Sequence, residues 1–155
     1  MSKNVRWLSR ICALATLFIS FSLGSGLFPE TDCLARNMYY EARSEGIYGM
    51  VAVGQVSLNR TKHPNYPSSI CSVVYQKSQF SWTLKQQPLP MGPHWELAKQ
   101  LAVDMINGDT QVDNFEATHY HATYAKPRWK YKMRKITSIG KHIFYRDKNE
   151  TTKSA

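Results

Sequence analysis

Residues 48–60 (YGMVAVGQVSLNR) constrain the fold of this chain more than any other stretch. The run is long enough for three helical turns. Its apolar side chains, Met50, Val51, Ala52, Val53, Val56 and Leu58, fall nearly all round such a helix. A helix that is apolar on every side has to be surrounded by protein. The spacing therefore predicts a central buried helix over about 48–60, with other elements packed around it.

Other elements follow from the same kind of pattern. Residues 32–44 read as a first helix, capped by Thr31 or Asp32 and ended by Gly46. Leu34, Met38, Glu41 and Glu45 lie on one stripe of it. Ser68 can cap a short helix reaching Tyr75. A further helix covers about 94–107, with Trp95, Ala98, Leu101, Ala102 and Met105 inward and Gly108 as its stop. The pattern then changes. Residues 117–122 and 142–145 read as short strands around a basic loop. Helices early and a small sheet late predict an α+β domain. It is expected to span 27–146, followed by a polar tail over 147–155.

The first 26 residues have a different character. Lys3, Arg6 and Arg10 precede the apolar run 11–23, and small residues follow it. That is the pattern of a secretory signal peptide, or of a signal anchor if it is not cut. The apolar run is shorter than the roughly 20 residues of a spanning helix. The chain is thus expected to be exported, to the periplasm, cell envelope or outside. Removing the signal would take Cys12 with it and leave Cys33 and Cys71. In an oxidising compartment that pair reads as one disulfide, the alternative being two buried thiols. The formal charge is +9, falling to +6 without residues 1–26. A basic exported domain suits an anionic polymer.

Glu41 stands out among the acids. A carboxyl held against apolar neighbours resists ionisation, and a general acid needs that property. The plainer alternative is a glutamate that reaches water or pairs with Arg36 or Arg43. Glu45 lies one turn on, where exposure is expected. Tyr39, Tyr40, Phe80, Trp82, Tyr120, Trp129 and Tyr145 are candidate platforms for sugar rings, with core packing as their alternative use. His119, His121 and His142 raise the question of zinc. No H-E-x-x-H motif accompanies them, and binding or structural roles fit them better. There is no G-x-S-x-G nucleophile motif.

Several of these segments together resemble the SleB/CwlJ-type cell wall hydrolase family, which includes spore cortex-lytic enzymes. The segments are ARNMYYEARSE at 35–45, VAVGQVSLNR at 51–60, ICSVVYQ at 70–76 and QFSW at 79–82. ATHYHA at 117–122, Pro127, Trp129 and IGKHIFY at 139–145 complete the series. The resemblance covers about 33–146. It implies a lysozyme-like fold related to lytic transglycosylases, with Glu41 as the catalytic residue. Ser44 stands where the family motif usually has glycine.

The activity so implied is cleavage of peptidoglycan glycan strands at the MurNAc–GlcNAc β-1,4 bond. Most glycosidases need two carboxylates, and only Glu41 is evident here. A lytic transglycosylase needs one, and it makes 1,6-anhydro-muramyl ends. Trp82, Phe80, His119, Tyr120, His121, Trp129, Tyr145 and Glu45 are expected to hold the sugars. No metal, cofactor or nucleic acid is expected. Membrane contact would come only through the N-terminal segment, and the domain would act as a monomer. The alternatives are a muramidase using water, a zinc amidase built on His119, His121 and His142, and a wall-binding module that does not cut.

Overall fold

A computed structural model describes residues 29–149. The expected signal segment lies outside the described residues. Helix α1 (Glu30–Ala42) is followed by α2 (Gly46–Thr61), the short α3 (Ile70–Val74) and a 3-10 turn at Ser81–Leu84. Helix α4 (Pro93–Asn107), strand β1 (His119–Ala122), a second 3-10 turn (Arg128–Lys132) and strands β2 (Met133–Ile139) and β3 (His142–Asp147) complete the domain. The α+β arrangement is the one the sequence predicts. Among the described residues, no helix is long and apolar enough to cross a membrane.

Helix α2 is the central one. Met50, Ala52, Val53 and Val56 are fully buried, and each of the larger side chains contributes about 1.5–3 kcal/mol by leaving water. Gly54 lets its neighbours come close: a Cβ there would lie 2.9 Å from Met105 Sδ and 3.0 Å from Met38 Sδ. Helices α1 and α4 therefore press on α2 at this one point. Helix α4 follows its expected register, with Ala98, Leu101, Ala102 and Met105 buried.

Several boundaries differ from the sequence reading. Helix α1 begins at Glu30 with Pro29 at its N-cap, Asp32 N and Cys33 N donating to Pro29 O, so Thr31 and Asp32 lie inside the first turn and do not cap it. Helix α1 stops at Ala42, because Glu45 N donates to Ala42 O at 2.9 Å and closes a turn. Gly46 then opens α2 instead of ending α1. Ser69, not Ser68, caps α3, its Oγ accepting from Ser72 N at 3.2 Å. The late basic run is not all loop. It ends in β2, which joins an antiparallel sheet of order β1-β3-β2. Ile136 and Ile139 of β2 pack toward the core while Arg134, Lys135 and Ser138 face water. An irregularity between Lys135 and Thr137 breaks the two-residue alternation, so the strand has no clean period to read. Strand β3 runs through Asp147, one residue into the expected tail, and 150–155 lie outside the described residues.

Cys33 and Cys71 form a disulfide that ties α1 to α3 across 38 residues. Glu30 strengthens the same junction by accepting from Ile70 N at 2.5 Å and Cys71 N at 3.2 Å.

Candidate active site

Glu41 lies in the last turn of α1. Carbonyl groups point out of that end of a helix, and their partial negative charge opposes a carboxylate. Burial does the same and pushes the Glu41 pKa above its ordinary value. Two groups pull against it. The Tyr120 hydroxyl donates to Glu41 Oε2 at 2.9 Å, and the Arg60 guanidinium adds a positive charge nearby. The result is a carboxyl that holds its proton more firmly than one in water.

Tyr120 is held by its neighbours on the side away from the cleft. Its ring sits 5.1 Å from that of His142 and 5.5 Å from that of Phe144. Burial and the adjacent Glu41 hold its hydroxyl well above the usual phenol range. It is therefore a neutral donor at any pH where the protein works. The chain leading into β1 is held by side chains of α2. Asn59 Nδ2 donates to Phe115 O at 2.7 Å and Ala117 O at 2.9 Å, and Arg60 Nε donates to Thr118 O at 2.7 Å. Helix α2 thus delivers Tyr120 to Glu41.

Arg60 was not singled out from sequence, because an arginine at a helix C-terminus normally faces water. Here it is 5% exposed. It lies over the rings of Tyr66 and Phe80 at 5.2 and 5.4 Å, and it lines the cleft that holds Glu41. Its Nη1 is buried without a hydrogen-bond partner.

The cleft has a volume of about 380 Å³. Glu41, Arg60, Phe80, Tyr120, His121 and His142 are in its wall, with Tyr40 and the exposed Tyr124 also bordering it. Among the described residues lining it, Glu41 is the one carboxylate. Of the residues expected to hold sugars, Phe80, Tyr120 and His121 do line this cleft. Trp82 lines an adjoining hollow, where its ring stacks on Tyr40 at 4.7 Å. Its Nε1 donates to Asn37 Oδ1 at 3.0 Å, and Asn37 Nδ2 donates to Ser57 Oγ at 3.1 Å. A fully buried asparagine therefore sets the angle of an aromatic platform.

His119, Trp129 and Tyr145 are placed otherwise. They are not in the cleft wall but form a cluster of rings with His121. His121 Nε2 pairs with Tyr145 Oη at 3.0 Å, and His119 Nε2 pairs with Tyr66 Oη at 3.2 Å. Burial, with help from Arg60, lowers the His119 pKa to about 4. Burial also lowers that of His142. Among the described residues no three His, Cys, Asp or Glu side chains are grouped to hold a metal ion. Glu45 is turned away to a backbone partner: its Oε2 accepts from Lys141 N at 2.7 Å. It thereby holds the β2–β3 turn, one residue before His142.

The fold and cleft define a compact α+β domain in which, among the described residues, one carboxyl with a pKa raised by burial lines an aromatic groove. A family model described as cell wall hydrolase matches residues 44–145, and the chain belongs to that family. Glu41 stands just ahead of the matched stretch. The chain is 36% identical over 122 residues to the spore cortex-lytic enzyme of Bacillus subtilis (strain 168), which covers 77% of this chain and 39% of that protein. It is 35% identical over 116 residues to the spore cortex-lytic enzyme of Halalkalibacterium halodurans, with 74% and 34% covered. The chain thus spans well under half the length of these relatives. It also superposes on the catalytic domain of the germination-specific lytic transglycosylase SleB from Bacillus anthracis. The TM-score is 0.60 at 27% identity, with 79% of this chain and 98% of that one covered. The catalytic domain of the Bacillus cereus SleB protein gives a TM-score of 0.60 at 28% identity, with 79% and 94% covered. The lysozyme-like fold implied by the sequence resemblance is borne out.

Proposed function

We propose that this domain cleaves peptidoglycan glycan strands between N-acetylmuramic acid and N-acetylglucosamine as a lytic transglycosylase. The observation that carries this reading is that Glu41 is the one carboxylate among the described residues lining the cleft. Hydrolytic glycosidases of the usual kind place a second carboxylate across the bond. Glu45, the nearest acid in sequence, is engaged with Lys141 N.

One glutamate suffices if it serves twice. Protonated Glu41 gives its proton to the glycosidic oxygen as the bond from muramyl C1 breaks. The carboxylate then takes the proton of the muramyl C6 hydroxyl as that oxygen bonds to C1. A 1,6-anhydro ring and a free 4-hydroxyl result, and no water is consumed. Burial favours the acid form for the first half. Tyr120 and Arg60 stabilise the carboxylate between the halves. Similarity to a SleB catalytic domain described as a lytic transglycosylase supports the same outcome.

Such a substrate supports a location in the cell envelope or outside the cell. The Cys33–Cys71 disulfide fits an oxidising compartment.

The test is mass spectrometry of fragments released from purified peptidoglycan. Anhydro-ended fragments are expected. Fragments one water heavier, with reducible ends, would replace the reading by a muramidase. Wall binding with no release would replace it by a non-cutting module.

A further inference from the structure

Beside the catalytic cleft lies a second hollow of about 170 Å³, and Tyr40 belongs to the walls of both. The ridge between them is the Tyr40–Trp82 ring stack. Both polar ends are engaged, Trp82 Nε1 with the buried Asn37 Oδ1 and Tyr40 Oη with Pro88 O of the exposed loop that follows. A sugar crossing the ridge would therefore meet the apolar carbon of two stacked rings. The hollow beyond carries Arg36 and Lys85 in its wall, and none of its lining residues is acidic. Arg36 is held in place by Asp32 at 2.6 Å, whereas Lys85 is exposed on the loop after the 3-10 turn.

We propose that this hollow is a subsite for a carboxylate carried by the bound strand, on its acidic sugar or on a peptide attached to that sugar. The proposal rests on the glycan-cleaving reading above and adds a preference within that substrate class. Uncharged sugars need only the rings. A carboxylate reaching off the strand past Trp82 would arrive at the exposed Lys85 ammonium, with the Asp32-paired Arg36 guanidinium and the Tyr75 ring in the same wall. Charged hydrogen bonds of this kind are stronger than neutral ones, and salt weakens them at an open site.

The test uses the full chain carrying Glu41→Gln, so that bound ligands are not cut. Dissociation constants are measured for three oligosaccharides of equal length. One is a neutral GlcNAc oligomer, one is a GlcNAc–MurNAc oligomer with free lactyl carboxylates, and one bears stem peptides. The acidic oligomers should bind about fivefold tighter than the neutral one, a gap of the size a partly exposed ion pair supports. Lys85→Gln should reduce that gap and Lys85→Glu should remove it, with neutral binding unchanged. An equal gain for both acidic oligomers assigns the lactyl carboxylate, and a gain only with peptides assigns a stem carboxylate. Binding that is unaffected by Lys85→Glu, or weakened equally for neutral and acidic oligomers, overturns the subsite and leaves the glycan reading standing. Failure of all three oligomers to bind overturns both.

Discussion

Tyr120 donates its hydroxyl hydrogen to Glu41 Oε2 at 2.9 Å, joining β1 to the last turn of α1 across 79 residues of chain. The bond favours the charged carboxylate and so opposes the effect of burial on Glu41. Tyr120→Phe keeps the packed ring and removes only this donor. Glu41 should then titrate at still higher pH. The alkaline limb of kcat/KM, which reports loss of the acid form, should move upward, and kcat should fall about tenfold. A pH–rate profile of both proteins checks this.

Glu41→Gln should lower cleavage by about 10³-fold or more while strand binding survives. It should also change the pH dependence of stability. The folded pKa of Glu41 is raised above its ordinary 4.5, so the native state binds this proton more tightly than the unfolded one. Glu41 costs nothing below pH 4.5, and its cost develops as pH rises through the folded value. The Gln variant does not titrate. It should gain on the wild type between pH 4 and pH 8, as thermal melts at both will show.

His119 works in the opposite direction. Its folded pKa is lowered from 6.5 to about 4. Its contribution is present above pH 6.5 and is lost as pH falls toward 4. Urea midpoints should therefore drop between pH 7 and pH 4.5. The drop should be smaller in His119→Gln, which cannot take up the proton.

The Cys33–Cys71 bond closes a stretch of 38 residues. Its loss should cost about 2–4 kcal/mol. Reductant should lower Tm by roughly 10 °C in a domain of this size, and the double Cys→Ser variant should melt with the reduced protein.

Gly140 turns β2 into β3 at φ +55°, and a Cβ there would lie 2.1 Å from Glu45 Oε2. Gly140→Ala meets both a backbone penalty and a displaced carboxylate. It should cost about 1–3 kcal/mol, measured by chemical denaturation.

The periodic parts of this fold are legible in the amino-acid order. The all-round apolar pattern at 50–58 marks α2, and the stripe through Ala98, Leu101 and Met105 marks α4. Two cysteines left after the expected signal mark the disulfide. Glu41 is visible as an acid on an apolar stripe. These features are local: the spacing of side chains along one helix sets which face leaves water. The contacts that make a site of Glu41 are not local. Arg60 enters the cleft because β1 docks on the end of α2 and covers it. Glu45 is withdrawn from the cleft by a backbone N–H 96 residues away. His119 and His121 share a strand face, but Tyr120 is the β1 residue that reaches Glu41, and Asn59 and Arg60 decide that by gripping residues 115–118. The irregularity in β2 hides a strand whose alternation would otherwise be readable. The amino-acid order thus shows which segments are helical, pairs Cys33 with Cys71 once an oxidising compartment is assumed, and points to Glu41 as a carboxyl on an apolar stripe. Tertiary structure decided which groups surround the acid, because their positions depend on contacts between distant segments that no local period encodes.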